Sequence, residues 1–215
     1  WNSKGQCGLP DVPGDAVCTP TMLGTLLGQR VRAVACGAAH SLAVTAGGQV
    51  LSWGLGGSGQ LGHGDLGSTR MPKPIDKLAS EAIQGVACGF GHSIVLSRDG
   101  HLYSWGWNKR GQLGIGCTEN QFSPRLVKGL QRYSCATLAC GFEVTAAVTS
   151  DGDLFVMGQG LEGQLGLGRE RLQCGFPQRI ESMRHSVSAV SCGADHSAAL
   201  CFDGSLRIWG RAVGF

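Results

Sequence analysis

One sequence unit recurs along the chain at a stride of 52 residues, and this repetition constrains the fold more than any other feature. A Cys-Gly pair occurs four times at this spacing, and a Gly-Gln-Leu-Gly segment follows three of the pairs. Repeats of this size are typical of propellers and solenoids, in which each unit buries its apolar faces against its neighbours. The aligned positions are Cys36, Cys88, Cys140 and Cys192; Trp53, Trp105, Met157 and Trp209; and Gly59, Gly111 and Gly163.

Within each unit, apolar residues recur at every second position, as in Leu42 and Val44, which predicts strands rather than helices. The intervening positions are also apolar, so we expect both faces of these strands to be buried. Asp-Gly or Gly-Gly pairs separate the runs, which is a hairpin signal. A proline-led run follows at Pro20, Pro72, Pro124 and Pro177. The sequence therefore predicts an all-β propeller built of about 52-residue, four-stranded blades, with at most one helical turn, within 77–84.

The ends of the chain have complementary repeat registers. Residues 1–8, WNSKGQCG, match residues 107–114 in the middle of a repeat, and the last repeat breaks off soon after Trp209-Gly210. We therefore expect one propeller region over 1–215. Its units are approximately 32–82, 83–134 and 135–186, together with a split unit formed by 1–31 and 187–215. Because the chain begins with Trp1 rather than Met, we expect it to be a piece of a longer or processed protein.

The repeat resembles the regulator of chromosome condensation family, whose pattern runs Cys-Gly-x-x-His-Ser, strand, Gly, strand, Trp-Gly, loop, Gly-Gln-Leu-Gly-x-Gly. It is present at 36–64 and 88–116 and in part at 192–210. The unit at 140–168 departs from it, with Val144 in place of His and Met157 in place of Trp. The resemblance implies a seven-bladed propeller. Since only four units are present, the chain is either an open arc of that propeller or a propeller that closes with four blades. We favour the arc, with apolar faces exposed at its ends.

Composition excludes several classes of protein. The net charge of +3 and the lack of a basic stripe give no strong nucleic-acid signal, and no apolar run is long enough to span a membrane. Ten cysteines occur without a CxxC pair, and four of them share one repeat position beside glycine. We interpret them as reduced thiols, which favours a cytoplasmic or nuclear location.

Two motifs that suggest chemistry have structural interpretations. The G-x-G-x-x-G segments at 54–59 and 158–163 precede further glycine-bearing loops rather than helices, so we predict no cofactor. The equivalent histidines His40, His92 and His196 would lie too far apart to share a metal ion, and we expect each to bond to backbone near a glycine turn. No nucleophile has a plausible base within a unit, so we predict that the chain is not an enzyme. Trp53, Trp105 and Trp209 are expected to pack between blades.

A loop after Trp-Gly is the most partner-like cluster, because aromatic and arginine residues are common hot spots of interfaces. Its residues are Trp107, Asn108, Lys109 and Arg110, and Arg169 and Arg171 lie in a comparable loop. An ordinary loop with a packed Trp and solvated arginines remains the alternative.

The first functional hypothesis is a non-catalytic protein–protein interaction scaffold, because loops on a rigid repeat framework are free to carry binding residues. The resemblance implies two alternatives: a guanine-nucleotide exchange factor for a small Ran-like GTPase, or the substrate-binding region of a larger ubiquitin ligase. It also implies ultraviolet-B sensing as in a related plant photoreceptor. We do not expect this activity, because the tryptophans of the photoreceptor's Gly-Trp-Arg-His-Thr segments are missing here, as at Phe90 and Phe142.

Overall fold

The computed structural model of the protein describes residues 2–9 and 16–211, which contain four antiparallel sheets, and these are the predicted blades. Blade 1 contains β1 (Val31–Cys36), β2 (His40–Thr45), β3 (Val50–Gly54) and β4 (Thr69–Pro74). Blade 2 contains β5 (Ile83–Cys88), β6 (His92–Ser97), β7 (Leu102–Gly106) and β8 (Gln121–Leu126). Blade 3 contains β9 (Cys135–Cys140), β10 (Val144–Thr149), β11 (Leu154–Gln159) and β12 (Gln173–Arg179), and blade 4 contains β13 (Val187–Cys192), β14 (His196–Cys201) and β15 (Leu206–Gly210).

The strands of every blade pair in chain order and in the same register. The second strand begins opposite a glycine at or next to the end of the third, as His92 does opposite Gly106. The predicted Asp-Gly hairpins are confirmed: Gly100, at the tip of the β6–β7 hairpin, has a φ of 81°, a left-handed conformation that glycine adopts without strain. The all-β class and the hairpin positions therefore follow directly from the repeat pattern.

The fourth strand lies at the outer edge of each complete blade, and this position explains its proline. Pro72 and Pro124 are in β4 and β8, where only one edge of the strand is hydrogen bonded. The strand expected after Pro20 does not form within the described residues, and the sheet of blade 4, whose unit was expected to include 1–31, has three strands. The helical turn expected within 77–84 is a 3-10 turn slightly earlier, at Asp76–Leu78.

The hydrophobic core lies between blades rather than within them. Ile94 and Leu102 of blade 2, for example, pack with Ala147, Phe155 and Met157 of blade 3. Burying one such aliphatic side chain stabilises a fold by about 1.5–3 kcal/mol. The same arrangement joins blades 1 and 2 and blades 3 and 4. Each blade therefore depends on its neighbours for stability.

The two ends of the arc are open, as expected. Leu206 and Ile208 of blade 4 are 61% and 68% exposed, whereas Leu154 and Val156, at the same repeat positions of blade 3, are at most 1% exposed. At the other end Val34 is 69% exposed. The four blades thus form an open arc with an apolar face at each end.

Candidate protein-interaction face

A buried polar network across each junction positions the loops of one face. Trp105 Nε1 and Ser93 Oγ of blade 2 both donate to the carbonyl oxygen of Gln60, in the Gly-Gln-Leu-Gly loop of blade 1, at 2.9 and 2.8 Å. His40 Nε2 lies 3.0 Å from Ser93 Oγ. Since that hydroxyl already donates its proton to Gln60, His40 must be the donor. His40 therefore bonds to a hydroxyl of the next unit, in addition to a backbone interaction at His92 of the kind that the sequence led us to expect.

The network recurs at the other junctions with the residues that the repeat supplies. Between blades 2 and 3, His92 contacts Thr145, which donates to the Gln112 carbonyl, and Met157 occupies the position of the indole. In blade 4, Ser197 and Trp209 donate to the Gln164 carbonyl. In blade 1, Ser41 and Trp53 donate to the Gln6 carbonyl. The prediction that the three repeat tryptophans pack between blades is confirmed for Trp105 by its place in the core shared by blades 1 and 2.

The His–Ser contact resembles a catalytic dyad in distance but not in chemistry. Burial lowers the pKa of His40 to about 4 and that of His92 to about 3, so both rings are neutral at physiological pH. Both histidines and Ser93 are buried away from solvent, and the Nδ1 atoms of His40 and His92 have no hydrogen-bond partner. With no orienting group and no access for a substrate, the pair is a structural link between blades.

Glycine is required at both ends of the Gly-Gln-Leu-Gly segment. Gly59, Gly111 and Gly163 all have positive φ, and a Cβ at Gly111 would approach the backbone of Gly175 to 2.6 Å. At the other end of the segment, a Cβ at Gly62 would lie 2.7 Å from Trp105 Nε1. Glycine therefore lets each loop come close enough to the next blade for the Gln carbonyl to accept both bonds.

The candidate face is one edge of the arc. It carries, from each blade, the turn between the first and second strands and the start of the long loop that follows the third strand. Neighbouring turns are in contact, since Ala38 N donates to Phe90 O at 3.3 Å and Phe90 N to Phe142 O at 3.4 Å. The backbone amide of Trp107 donates to Gly91 O at 2.8 Å, which holds the start of the long loop against the turn of its own blade.

Three aromatic rings meet on this face, and we call them the aromatic cluster: Phe90, Trp107 and Phe142. The rings of Phe90 and Phe142 are 4.2 Å apart between centroids, and Trp107 approaches Phe90 edge-on at 6.4 Å. The two phenylalanines are nevertheless 48% and 42% exposed. An exposed aromatic cluster on a rigid framework is a typical anchor for a protein partner.

Charged side chains flank the cluster. Arg110 Nε lies 3.5 Å from Glu143 Oε1, which joins the long loop of blade 2 to the turn of blade 3, and Lys109 is exposed beside it. At an interface with a partner, such half-exposed charges contribute more to specificity and association rate than to affinity.

Asn108 does not belong to the exposed surface, although the sequence placed it with its neighbours. Its side chain is fully buried; Nδ2 donates to the carbonyl oxygens of Cys117 and Glu119, and Oδ1 accepts from the Leu113 amide. An asparagine can satisfy several backbone groups at once, so this residue closes the loop on itself and cannot reach a partner.

Arg169 and Arg171 are exposed but lie apart from the aromatic cluster. Arg169 lines a groove with Glu162 and Arg211 near the open end of blade 4, and Arg171 donates to Gln178 Oε1 at 2.8 Å. Within the residues that the structure describes, no hydrogen bond or ion pair joins either arginine to the loop that carries Trp107.

Sequence reasoning missed Phe90 and Phe142 as site residues. A signal was present, because both follow the repeated Cys-Gly at a spacing of 52 and are replaced by Ala38 and Ala194 in the outer units. What the strand pattern could not show is that consecutive turns lie side by side, which brings the two rings into contact.

The described residues contain no group of three or more metal-ligating side chains and no helix long and apolar enough to cross a membrane. Burial raises the pKa of the thiols of Cys88 and Cys140, and that of Cys192 to about 11, so these three repeat cysteines are protonated and inert as nucleophiles.

Blades joined by repeated polar links, with an exposed aromatic face, define a propeller-type interaction domain. The chain belongs to the RCC1-like domain family, whose pattern matches residues 1–214, and the RCC1-like domain is itself non-catalytic. This result confirms the family resemblance recognised from the repeats.

Curated relatives include the ultraviolet-B receptor UVR8 of Arabidopsis thaliana, 39% identical over 89% of this chain and 44% of that protein. The human E3 ubiquitin-protein ligase HERC2 is 36% identical over 99% of this chain but only 4% of its own length. This chain therefore spans less than half of either relative.

Among solved structures, human WBSCR16 superposes with a TM-score of 0.85 at 31% identity, covering 98% of this chain and 55% of that one. Prp20p of Saccharomyces cerevisiae, described with its binding properties to Gsp1p and histones, superposes with a TM-score of 0.83 at 25% identity. The match covers 97% of this chain and 51% of Prp20p.

Proposed function

We propose that this chain is a protein–protein interaction scaffold that binds a partner through the aromatic cluster. The observation that carries the proposal is the contact between Phe90 and Phe142, which expose 48% and 42% of their surface although both lie on a rigid framework. Clusters of exposed apolar rings mark surfaces that another molecule covers. Lys109 and Arg110 supply a polar rim of the kind that surrounds such anchors.

The test compares the partners of two variants in quantitative affinity purification. The double variant Phe90→Ser and Phe142→Ser removes the cluster, and Phe122→Ser removes a phenylalanine that is 41% exposed at the outer edge. We expect at least one protein to lose tenfold or more of its enrichment with the double variant and to be retained with the control. Identical partner sets for both variants would contradict the proposal.

A second candidate function, nucleotide exchange on a small Ran-like GTPase, is supported by the similarity to Prp20p and its description with Gsp1p. Against it, this chain spans only about half of that protein. The measurement is the release of fluorescent GDP from Ran in the presence of micromolar protein. Acceleration would establish exchange activity, and an unchanged rate would exclude it.

A third candidate is the substrate-binding region of a ubiquitin ligase, which the similarity to HERC2 supports. In that case the partner of the aromatic cluster would be a substrate, and its ubiquitination in cells would fall with the same double variant. We also propose a cytoplasmic or nuclear location, because the repeat cysteines fit a reducing compartment. Fluorescence microscopy of the tagged protein tests this.

A further inference from the structure

A groove at the outer edge of the arc, between blades 2 and 3, is unlike its counterpart one junction away. We call it the outer groove. It has a volume of about 630 Å³ and an apolar wall that includes Tyr103, Ile115 and Phe176. Lys77, Arg125 and Lys128 also line it, and no Asp or Glu does. A concave apolar site with a few charged groups of one sign is a typical ligand site.

The same groove exists between blades 1 and 2, and the 52-residue stride aligns the two. That groove measures about 270 Å³ and carries His63, Lys73 and Asp76 where the outer groove carries Ile115, Arg125 and Lys128. Two cations and one carboxylate line it, against three cations and no carboxylate in the outer groove. The second repeat has thus replaced a ring that can carry charge with an apolar side chain and an acid with a base.

The apolar wall of the outer groove is held in place by backbone contact between blades. Gly116 N donates to Gly175 O at 2.9 Å, and a Cβ at Gly116 would lie 2.3 Å from Phe176 Cζ. Because position 116 is glycine, the ring lies against the loop of blade 2 while 58% of the residue remains exposed. The corresponding groove between blades 1 and 2 has Ser123 in the place of Phe176.

Two acidic side chains near the outer groove interact with groups other than its cations. Glu81 interacts with the hydroxyl of Tyr103, and together with burial, the larger cause, it raises the pKa of that phenol to about 12. Glu119 interacts with Cys117 instead. Two of the three cations bond to neutral groups: Arg125 Nε donates to Gln121 Oε1 at 3.0 Å, and Lys77 Nζ to Ser123 Oγ at 3.2 Å.

We propose that the outer groove binds an acidic peptide segment of a partner protein that inserts one aromatic or large aliphatic side chain. Carboxylates of the segment pair with Arg125 and Lys128, and the apolar side chain packs against Ile115 and Phe176. A nucleic acid fits less well, because it needs a longer basic track than three cations around an apolar wall. This site rests on the scaffold role but shares no residue with the aromatic cluster.

The test is direct binding of synthetic peptides to the full chain, immobilised at low density on a biosensor. The probe is Gly-Asp-Glu-Asp-Phe-Asp-Glu-Asp-Gly, with one matched peptide in which Lys replaces every acid and another in which Ser replaces Phe. The protein variants are Arg125→Glu and Lys128→Glu. Lys73→Glu is the matched control for Arg125→Glu, because Lys73 occupies the equivalent position in the groove between blades 1 and 2.

We expect the acidic peptide to bind with saturation below 1 mM. Arg125→Glu and Lys128→Glu together should weaken binding at least tenfold, Lys73→Glu less than twofold, and loss of the peptide's Phe at least fivefold. Any one of three results would overturn the proposal: no binding at 1 mM, equal binding of the lysine peptide, or equal sensitivity to Lys73→Glu.

An oligothymidine of ten nucleotides gives the nucleic-acid outcome. Tighter binding of that probe than of the peptide, with the same dependence on Arg125, would overturn the peptide assignment in favour of a nucleic-acid groove. Because the probes are peptides rather than cellular partners, a failure here is distinguishable from failure of the aromatic cluster to bind a partner, which the Phe90 and Phe142 variants report.

Discussion

Blades 3 and 4 have nearly the same pattern of strands, yet the apolar side chains of blade 3 are buried and several of those in blade 4 are exposed to solvent. Leu154 and Leu206 begin the third strand of their blades at equivalent positions, and they are 0% and 61% exposed. Val144 of blade 3 is buried, whereas His196, at the equivalent position of blade 4, is exposed. The difference shows that the exposure of a repeat position is not set by its own blade, because the residue is buried only where a following blade packs against it.

The largest expected effect separates these two leucines. Leu154→Ala removes side-chain atoms from a packed junction and should destabilise the chain by about 2–5 kcal/mol, whereas Leu206→Ala, at an open face, should cost no more than about 0.5 kcal/mol. Denaturant unfolding of both variants measures the contrast. Equal losses would show that blade 4 is covered in solution.

The next effect separates the buried histidines from the exposed one. Because burial lowers the pKa of His92 to about 3, the folded chain leaves this ring neutral while the unfolded chain protonates it near its ordinary value of 6.5. Its stabilising contribution is therefore complete above about pH 6.5 and is lost as the pH falls, by about 2 kcal/mol at pH 5.

His92→Asn should reduce the loss of unfolding free energy between pH 7.5 and pH 5 by that amount. His196→Asn, at the equivalent but exposed position, is the matched control for the substitution itself. Denaturant unfolding at the two pH values measures both. The same pH slope for wild type and His92→Asn would contradict the assignment of a buried neutral ring.

A smaller loss of stability is expected from removing the hydrogen bond of the Trp105 indole at the junction of blades 1 and 2. The junction of blades 2 and 3, which has Met157 at this position and lacks that bond, serves as the comparison. Trp105→Phe removes the donor to the Gln60 carbonyl but leaves Ser93 donating to it. It also removes part of a fully buried ring, so the expected loss of stability is about 1–2 kcal/mol. In blade 3 Met157 already stands at this position, and Met157→Leu should change stability by less than about 1.5 kcal/mol because it nearly conserves volume. Thermal unfolding compares the two, and a larger effect of Met157→Leu would contradict this interpretation of the bond.

Substitutions in the open faces at the two ends of the arc should change self-association of the chain but barely change its folding free energy. The open faces predict concentration-dependent self-association or aggregation of the isolated 215-residue chain. Leu206→Ser with Ile208→Ser should reduce it while altering stability by no more than about 0.5 kcal/mol per site. Sedimentation velocity over a concentration series measures this, and a protease-resistant monomer of the wild-type chain would instead indicate closure into four blades.

The repeat columns predicted the fold well because strand alternation, Asp-Gly hairpins and edge prolines are local signals. The same local logic failed where a contact crosses between units. It did not foresee the bond between His40 and Ser93. It also grouped Asn108 with its exposed neighbours, because adjacent residues in a loop carry no periodicity that shows which of them turns inward. It also overlooked Phe90 and Phe142, which meet only because two turns of different blades are neighbours.

The sequence by itself determined most of the strands, the hairpins between them and the number of repeat units, since each depends on residues close together in one repeat. Only the tertiary structure decided which copy of a column is bare, which rings meet at the aromatic cluster and why the outer groove differs from its counterpart. Those properties belong to pairs of blades, and the exposure or charge around one residue depends on side chains that lie about a full repeat away along the chain.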